Sequence, residues 1–381
     1  MKYIDLFCGI GGFHYVLNSL GHTCVFASDI DKHCREVYNA NFGMMPHGDI
    51  TKIDVANVPD CDIICAGFPC QAFSNAGSKK TFSDSRGLLF DEIMRIAAVK
   101  RPKYIFLENV KHILKVDDGK VIKYIDEQLH ENQYVVKRFI ISPHFYGIPQ
   151  NRERVYFICV RKDLYKSDFT INIPSHKRNY DLSSYLDVQY DPQYKISMDV
   201  LNVLNCWEEF VKIAEIGQKM SPTILSNHFE TNDCNDFPEW KKICISKNKT
   251  IFSKYESFWK RWKTQYREIL NKREVYSQLE WQVGPITSND SIFNHFVQIR
   301  QSGVRVKKAT FFPTLVAISQ IPIYAKERRY ITPRECARIQ SYPDSFILHA
   351  NDRVSYKQLG NSVNVHNVNV IVKSTLDFYE D

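Results

Sequence analysis

The chain has 381 residues, of which 44% are hydrophobic and 24% charged, and its net charge is +7. This composition is typical of a soluble globular protein with one large domain or two. No segment approaches the roughly 20 apolar residues of a membrane-spanning helix, so we expect no membrane association. The 11 cysteines include no Cys-x-x-Cys pair, which argues against zinc sites and disulfide frameworks. We therefore expect no metal and a reducing, cytoplasmic location.

The first 160 residues alternate between strand-like and helix-like segments. Apolar runs typical of strands occur in chain order at "KYIDLFC", "TCVFASD", "CDIICAG", "KYIFLEN", "YVVKRFI" and "RVYFICV". Helical patterns follow the first three of these runs, at about 12–20, 31–41 and 87–99. This alternation predicts an α/β fold in which a mostly parallel sheet is covered on both faces. Ligands of such sheets bind beyond the carboxyl ends of the strands.

The alternating pattern stops at about residue 175, and long polar stretches continue to about residue 324. We predict a first domain at 1–174, a second domain or large insertion at 175–324, and a segment at 325–381 that returns to the first domain. In "YITPRECARIQSYP" we expect a short helix, with Thr332 as the N-cap and Pro333 in the first turn.

The second region contains a strongly basic segment. Between Lys241 and Arg273 there are 11 Lys or Arg residues and two acids, a net charge of +9. Aromatic residues alternate with these charges, which is typical of a surface that faces a polyanion. A solvated helix whose aromatic side chains pack inward is the alternative interpretation.

The run "DLFCGIGGF" places Gly9, Gly11 and Gly12 between the first strand and the first helix. Glycines there let the backbone approach a ligand, and the helix offers free N–H groups. Asp29 ends the next strand and could accept hydrogen bonds from ribose hydroxyls, which indicates an adenosine-containing cofactor. A tight turn with a capping acid is the alternative. Asp49 could accept a bond from an adenine amino group, or it could be an ordinary turn aspartate.

Chemistry-bearing side chains follow the next two strands. Cys70 lies in a polar loop after "CDIICAG", where substrate could reach a thiol whose pKa a neighbouring cation would lower. Glu108 ends the adjacent strand, and a carboxyl crowded into a closed pocket can deliver a proton near neutral pH. Arg152 and Arg154 lie two residues apart, on one side of an extended segment. Together these residues describe a site for covalent catalysis.

Seven runs of the sequence resemble the DNA (cytosine-5) methyltransferase family, in the family's order. They are "DLFCGIGGF", "GFPCQAFSNAG", "DSRGLLF", "ENV", "YGIPQNRERVYF", "TPRECARIQSYPDSF" and "QLGNSV". They cover residues 1 to 160 and 328 to 363, with a variable region between them. The resemblance implies a Rossmann-like S-adenosylmethionine-dependent methyltransferase sheet, with a smaller target-recognition domain at 175–324.

The resemblance also implies a reaction. A methyl group passes from S-adenosylmethionine to carbon 5 of a flipped-out cytosine in a specific short duplex DNA sequence, through a covalent Cys70 adduct at carbon 6. Glu108 would protonate ring nitrogen 3, Arg154 would hold the carbonyl oxygen of the base, and Arg152 would support the loop. The cofactor contacts that the family implies are Phe7, Gly9, Ile10, Gly11, Gly12, Asp29, Ile30, Asp49, Ile50, Pro69, Leu89, Asn361, Ser362 and Val363. The family's ribose acid is commonly glutamate, whereas Asp29 is one methylene shorter.

The implied partners are double-stranded DNA and a cognate restriction endonuclease that acts on the same site, and a solitary or viral role is equally compatible. We expect a monomer that associates with the nucleoid. The loop "SNAGSKKTFSDSRG" has the composition of a mobile lid, and "IRQSGVRVKKATFFPTLVA" is the best candidate for part of the base-recognition surface.

Three alternatives remain at this stage. A tRNA cytosine-5 methyltransferase of the DNA-methyltransferase-like branch would lack a large recognition domain. An inactive DNA-binding paralogue is disfavoured because Cys70, Gln71 and Glu108 are intact. A nicotinamide oxidoreductase is disfavoured because the glycine run is GxGG, not GxGxxG.

Overall fold

The computed structural model describes residues 1–69, 88–174, 181–213, 223–231, 234–287, 289–316 and 320–380. Cys70 and the candidate lid at 74–87 lie outside the described residues. The chain divides into two compact units, one formed by residues 1–180 and 336–381 and the other by residues 181–335. Among the described helices, none is long and apolar enough to cross a membrane.

The first unit is built on a sheet that, within the described ranges, has six strands in the order β2-β1-β3-β4-β6-β5. Strands β1 to β4 are parallel, and β6 runs antiparallel to both of its neighbours. The predicted mostly parallel α/β sheet is therefore confirmed. The strands are β1 (Lys2–Leu6), β2 (Thr23–Ser28), β3 (Ile63–Ala66), β4 (Tyr104–Val110), β5 (Tyr134–Ile141) and β6 (Arg154–Arg161).

Helices cover both faces of this sheet because alternate side chains of its buried strands point to opposite sides. Ile64 and Ile105 share one apolar cluster with Ile93 of α3 and Ile125 of α4. The opposite face carries Glu108. The helices of this unit are α1 (Gly12–Ser19), α2 (Lys32–Phe42), α3 (Leu88–Lys100), α4 (Lys120–Glu131), α10 (Asp352–Asn361), α11 (Val365–Glu380) and the larger part of α9 (Pro333–Ile339).

The second unit contains a mixed sheet whose described strands are ordered β12-β11-β9-β10-β8-β7. Strand β10 runs parallel to β8 and antiparallel to β9. The strands are β7 (Ile224–Leu225), β8 (Gln278–Gln282), β9 (Phe296–Arg300), β10 (Gly303–Lys307), β11 (Ile323–Tyr324) and β12 (Arg329–Tyr330). The helices are α5 (Met198–Ile213), α6 (Glu239–Lys254), α7 (Glu256–Gln265) and α8 (Arg267–Lys272).

The basic segment forms α6 to α8, and its tryptophans belong to the core. Trp259 and Trp262 are buried in the apolar cluster that contains Trp207 and Phe210 of α5. The indole N–H of Trp259 donates to the Phe252 carbonyl, and that of Trp262 donates to the Cys206 carbonyl. Burial is stable because each indole N–H is paired. The interpretation that the aromatic side chains pack inward is therefore correct for these two tryptophans. Most of the Lys and Arg side chains of the basic segment are exposed.

A buried ion pair closes the second unit. The Arg329 guanidinium donates two hydrogen bonds to the Glu335 carboxylate, at 2.8 and 2.7 Å, and both side chains are fully buried. The same carboxylate accepts the amide N–H groups of Thr332 and Asp187. The Thr332 hydroxyl accepts the Glu335 amide N–H at 3.1 Å, so the predicted N-cap of α9 is confirmed as a reciprocal capping box.

We expect Glu335→Ala to lower the free energy of unfolding by about 3–5 kcal/mol, because two buried guanidinium nitrogens of Arg329 and two amides lose the Glu335 oxygens, although Arg329 Nε keeps its bond to Glu327. Glu327→Ala is the matched control. Glu327 also pairs with Arg329, but its side chain is 38% exposed, so its loss should cost about 0–1 kcal/mol. Chemical denaturation measures both values, and equal losses would contradict this account of the pair.

Candidate active site and cofactor pocket

The carboxyl ends of β1 to β4 bring the predicted site residues to one edge of the first sheet. The Gly9 amide donates to Asp29 Oδ2 at 2.8 Å, which joins the segments after β1 and β2. The Asn109 side-chain amide donates to the Phe68 carbonyl at 3.0 Å, which joins the segments after β3 and β4. Residues far apart in the sequence therefore line one edge, as expected for a parallel sheet.

The turn after β1 needs each of its glycines for a different reason. Gly9 has φ +53°, and a Cβ there would meet no atom within 4 Å, so a ligand could approach this backbone closely. Gly11 has φ +90°, and a Cβ there would lie 2.2 Å from Phe42. Gly12 contacts the C-terminal segment, since its Cβ would lie 2.4 Å from Val363 Cγ2. Phe7 also has a left-handed φ, of 52°, which is strained for a side chain of this size.

Asp29 is a half-buried carboxylate with backbone partners on both oxygens. Besides the Gly9 bond, its Oδ1 accepts the Asp31 amide N–H at 2.8 Å. Burial raises the pKa of Asp29, and these two hydrogen bonds oppose that rise. The adjacent Ile30 side chain is 74% exposed, which is unusual for a large apolar residue. An acid that can still accept hydroxyl hydrogens, next to an exposed apolar surface, fits the ribose and base of an adenosine group.

The remaining candidates for the cofactor pocket surround this edge. Asp49 Oδ1 accepts the Thr51 amide N–H at 3.0 Å and the Thr51 hydroxyl at 2.8 Å, so it caps a short 3-10 helix. Ile50 is buried and shares an apolar cluster with Phe7 and Leu89, both partly buried. The other five candidates differ in exposure: Ile10 and Val363 are buried, Ser362 is half-buried, and Pro69 and Asn361 are exposed.

Arg152 joins the C-terminal segment to the rest of the site. Its side chain is buried, and Nη2 donates to the carbonyls of Gly360 and Ser362, each at 2.9 Å. The Ser142 hydroxyl accepts the Arg152 amide N–H, which fixes the loop after β5. Arg152 and Arg154 do not act as a surface pair: each has its own buried or half-buried partner.

Glu108 and Arg154 form the charged part of the site. Arg154 Nε lies 3.1 Å from Glu108 Oε1, and both side chains are largely withdrawn from solvent. Burial raises the pKa of Glu108, whereas the charges of Arg154 and then Arg152 oppose the rise. Such an environment keeps a carboxyl available as a proton donor nearer to neutral pH than a free glutamic acid.

Two further residues, Asn109 and Tyr342, lie at the site, although the sequence motifs gave them no role. Asn109 is buried and holds the Phe68 carbonyl, just before Pro69 and Cys70. The Tyr342 hydroxyl lies 2.7 Å from Ser362 Oγ and close to Gly12. Both lie inside the quoted runs "ENV" and "SYPDSF", so the signal was present, but their partners are distant in the sequence.

Among the described residues, one group of three side chains could hold a metal ion: His33, Glu36 and His349, near the start of α2. His349 Nδ1 accepts the Asn351 amide N–H at 2.9 Å, so a neutral His349 carries its proton on Nε2. That atom faces His33 Nδ1 at 3.1 Å. A protonated nitrogen offers no lone pair to a cation, so this arrangement favours proton sharing over metal ligation.

The sheet order, the glycine turn and the half-buried acid after the second strand are typical of a Rossmann-like methyltransferase fold. The fold is shared with the S. pombe Dnmt2 methyltransferase, with a TM-score of 0.59 at 19% identity over 99% of this chain and 98% of that one. It is also shared with the Entamoeba histolytica methyltransferase EhMeth, with a TM-score of 0.59 at 22% identity over 100% and 99%.

The family model described as C-5 cytosine-specific DNA methylase matches residues 1–377. The chain is 31% identical to the type II methyltransferase M.HhaI of Haemophilus parahaemolyticus, over 99% of this chain and 96% of that protein. It is 34% identical to M1.ScrFI of Lactococcus lactis subsp. cremoris, over 100% and 79%. The chain therefore belongs to the C-5 cytosine-specific DNA methylase family, and it is a DNA (cytosine-5) methyltransferase. This result excludes the nicotinamide oxidoreductase alternative.

The contact between Gly12 and Val363 makes a testable prediction. Gly12→Ala places a methyl group against Val363 and Tyr342, and overpacking of this kind typically costs about 1–3 kcal/mol. Val363→Ala in the same chain should recover part of that loss, because it removes the methyl group that clashes. A double-mutant cycle by thermal or chemical unfolding measures the coupling.

Gly48→Ala is the control, because its added Cβ would meet only Arg35 Nη1, at an ordinary 3.8 Å. We expect little change in the free energy of unfolding for this variant. Additive effects of Gly12→Ala and Val363→Ala would contradict direct contact between the two segments.

Proposed function

We propose that the chain methylates carbon 5 of a flipped-out cytosine in a specific short duplex DNA sequence, with S-adenosylmethionine as the methyl donor. The observation that carries the proposal is the buried Glu108–Arg154 pair, on the same sheet edge as the turn at Gly9 and the acid at Asp29. A carboxyl whose pKa burial raises, beside a cation and near a pocket that suits adenosine, supports this proposal.

The residues of the pocket fit S-adenosylmethionine. The open space in front of Gly9, the exposed Ile30 and the Asp29 carboxylate suit an adenosine group. Asn361, Ser362 and Val363 would border the same pocket from the far end of the chain, since Val363 contacts Gly12. Asp49 would accept a bond from the adenine amino group, and Ile50, Pro69 and Leu89 would provide apolar contacts. When bound, the cofactor supplies an electrophilic methyl group.

We assign the chemistry of the base to Cys70, Glu108 and Arg154. The Cys70 thiolate would form a bond to carbon 6 while Glu108 protonates ring nitrogen 3, so that the electron pair of the 5,6 double bond becomes available at carbon 5. After carbon 5 takes the methyl group, loss of the carbon 5 proton would restore the 5,6 double bond and release the sulfur as thiolate, and ring nitrogen 3 would return its proton to Glu108. Arg154 would hold the carbonyl oxygen, and Arg152 would position the surrounding backbone.

Cys70 lies outside the described residues, and its role rests on its position in the family's motif. The described chain supports the assignment up to Pro69. Gly67 lies beside Glu108, since a Cβ at Gly67 would be 3.8 Å from Glu108 Oε2, and Asn109 holds the Phe68 carbonyl. The described chain therefore passes beside the Glu108 carboxylate just before it reaches Cys70.

A methyl-transfer assay with labelled S-adenosylmethionine and three substrates tests the proposal. Duplex DNA should accept the label, and bisulfite sequencing should place it in one short sequence. Label in tRNA alone would favour the tRNA alternative, and no transfer would favour an inactive paralogue. Protection of the modified DNA from an endonuclease of the same source would support a restriction–modification role.

Cys70→Ser should abolish turnover and leave the affinity for S-adenosylmethionine nearly unchanged, because the thiol contacts the base. Loss of a covalent nucleophile should lower kcat by about a thousandfold or more. A duplex containing 5-fluorocytosine should form a denaturant-resistant adduct with the wild type and none with the serine variant, because fluorine at carbon 5 prevents the final elimination.

Glu108→Gln is the comparison, because the amide has the same shape but cannot donate a proton as an acid does. It should slow methylation strongly while retaining Cys70. A serine variant that keeps more than about a thousandth of the wild-type rate would show that Cys70 is not the nucleophile.

The second unit is our candidate for the target-recognition domain, and α6 to α8 are its candidate phosphate surface. Lys260 and Arg261 are exposed on α7, on the side opposite the buried Trp259 and Trp262. Lys260 pairs with the exposed Glu256, an interaction that salt screens. Such cations can contact phosphates without reporting sequence.

Replacing Lys260, Arg261 and Lys263 by alanine should reduce the salt dependence of DNA affinity by about 2–3 units in the log–log slope, roughly one for each lost phosphate contact. Sequence preference should be unchanged, because phosphate contacts carry no sequence information. Affinity measured at several salt concentrations gives the slope.

A control triple variant replaces Lys120, Lys123 and Lys373, which are exposed on helices of the first unit. It removes the same net charge from a different surface. Equal slopes for wild type and the α7 variant would show that this helix face meets only water.

A further inference from the structure

One face of the sheet in the second unit is apolar, and the opposite face carries a group of polar side chains beside the buried Phe296. Val297 of β9 and Val304 and Val306 of β10 pack into the core with the tryptophans. Because strand side chains alternate, Gln298, Arg300, Arg305 and Lys307 share the opposite face, together with Glu280 of β8.

Strand register brings these polar side chains close together. Arg305 lies opposite Gln298 on β9 and beside Glu280 on β8. Arg300 is two residues from Gln298, so it lies on the diagonal from Arg305, within reach of a long side chain. Gly303 permits the close packing, because a Cβ there would lie 2.6 Å from Gln278 Cβ and 2.7 Å from its carbonyl oxygen.

The polar face has an excess of positive charge that is partly removed from water. Arg300, Arg305 and Lys307 are half-buried. Among the residues named for this face, Glu280 provides the one carboxylate against these three cations. Burial, and then the charges of Arg305 and Arg300, lower the pKa of Lys307. Half-buried like charges are costly unless an electronegative partner joins them.

Two of these cations are guanidinium groups held in place at one nitrogen. Arg305 Nε donates to Glu280 Oε2 at 2.7 Å, and Arg300 Nε donates to Gln320 Oε1 at 3.0 Å. Arg300 Nη1 is buried and has no hydrogen-bond partner among the described residues. With Nε engaged, both terminal nitrogens of Arg305 and Nη2 of Arg300 remain for a ligand, whereas the buried Nη1 of Arg300 would reach one only after its side chain moved.

We propose that Arg300 and Arg305 are specificity-determining residues that recognise guanine edges in the target DNA, an inference that rests on the proposed function above. A guanidinium presents two parallel N–H groups that match the O6 and N7 acceptors of guanine in the major groove. Glu280 and Gln320 fix the orientation of the two forks, which is the support that selective recognition requires. The O6 and N7 atoms of guanine would accept hydrogen bonds from the terminal nitrogens of these side chains, whereas a phosphate would neutralise the charge without reporting the base.

The test measures methylation of a duplex library with randomised bases around the cytosine, by bisulfite sequencing. Arg305→Lys and Arg300→Lys keep the charge and lose the fork, so each should relax the preference for guanine at one position by about tenfold or more. Glu280→Gln leaves Arg305 in place but weakens its support, so it should relax the same position as Arg305→Lys to a smaller extent. Lys308→Ala, an exposed neighbour, should leave all preferences unchanged.

Preference is a ratio among sequences that one protein sample methylates, so partial misfolding of a variant does not alter it. Unchanged preferences in both lysine variants would overturn the proposal. A uniform loss of affinity with a lower salt slope would also overturn it, in favour of phosphate contacts. If the wild type methylates no duplex, the proposed function fails, and that result is distinct from a specific enzyme whose arginine variants keep its preference.

Discussion

The site depends on the contact between the buried guanidinium of Arg152 and the C-terminal segment. It donates to two carbonyls, those of Gly360 and Ser362, that are more than 200 residues away in the sequence. A buried guanidinium that lost these acceptors would be left with an unpaired charge, a cost of several kcal/mol in general. The same side chain helps to hold the pKa of Glu108 down against burial. Arg152 thus holds the C-terminal segment that borders the candidate cofactor pocket, and its charge lowers the pKa of Glu108 at the candidate base site.

Glu108 shows why these two tasks are combined. A carboxyl buried without cations would be protonated but unpaired, and one fully exposed beside arginine would be ionised at neutral pH. Here burial raises the pKa of Glu108, and the charges of Arg154 and Arg152 oppose that rise. An acid that must give up and regain a proton in each turnover needs this balance. The C-terminal segment therefore affects the proposed chemistry through Arg152 without touching the base.

The fold of the first unit could be predicted because its buried parallel strands are short apolar runs and its helices have clear boundaries. The confirmed N-cap at Thr332 illustrates how local such signals are. The partners of Asn109 and Tyr342 could not be predicted, because a hydrogen bond to a distant carbonyl or hydroxyl leaves no pattern in the sequence. The basic segment was ambiguous for a related reason: alternating aromatic and basic residues suit both a nucleic-acid surface and an amphipathic helix.

The second unit separates two kinds of positive charge that composition alone adds together. Lys260 and Arg261 are exposed, and so is the Glu256 that pairs with Lys260, so water solvates these cations and a phosphate would replace that water. Arg300 and Arg305 are half-buried and held at Nε by neighbouring side chains, so their orientation is fixed before any ligand arrives. Exposed cations stabilise a bound nucleic acid of any sequence, whereas guanidinium groups held in one orientation discriminate between the hydrogen-bonding patterns of the bases. Burial and hydrogen bonding, more than net charge, therefore indicate which surface of this enzyme selects the sequence that it methylates.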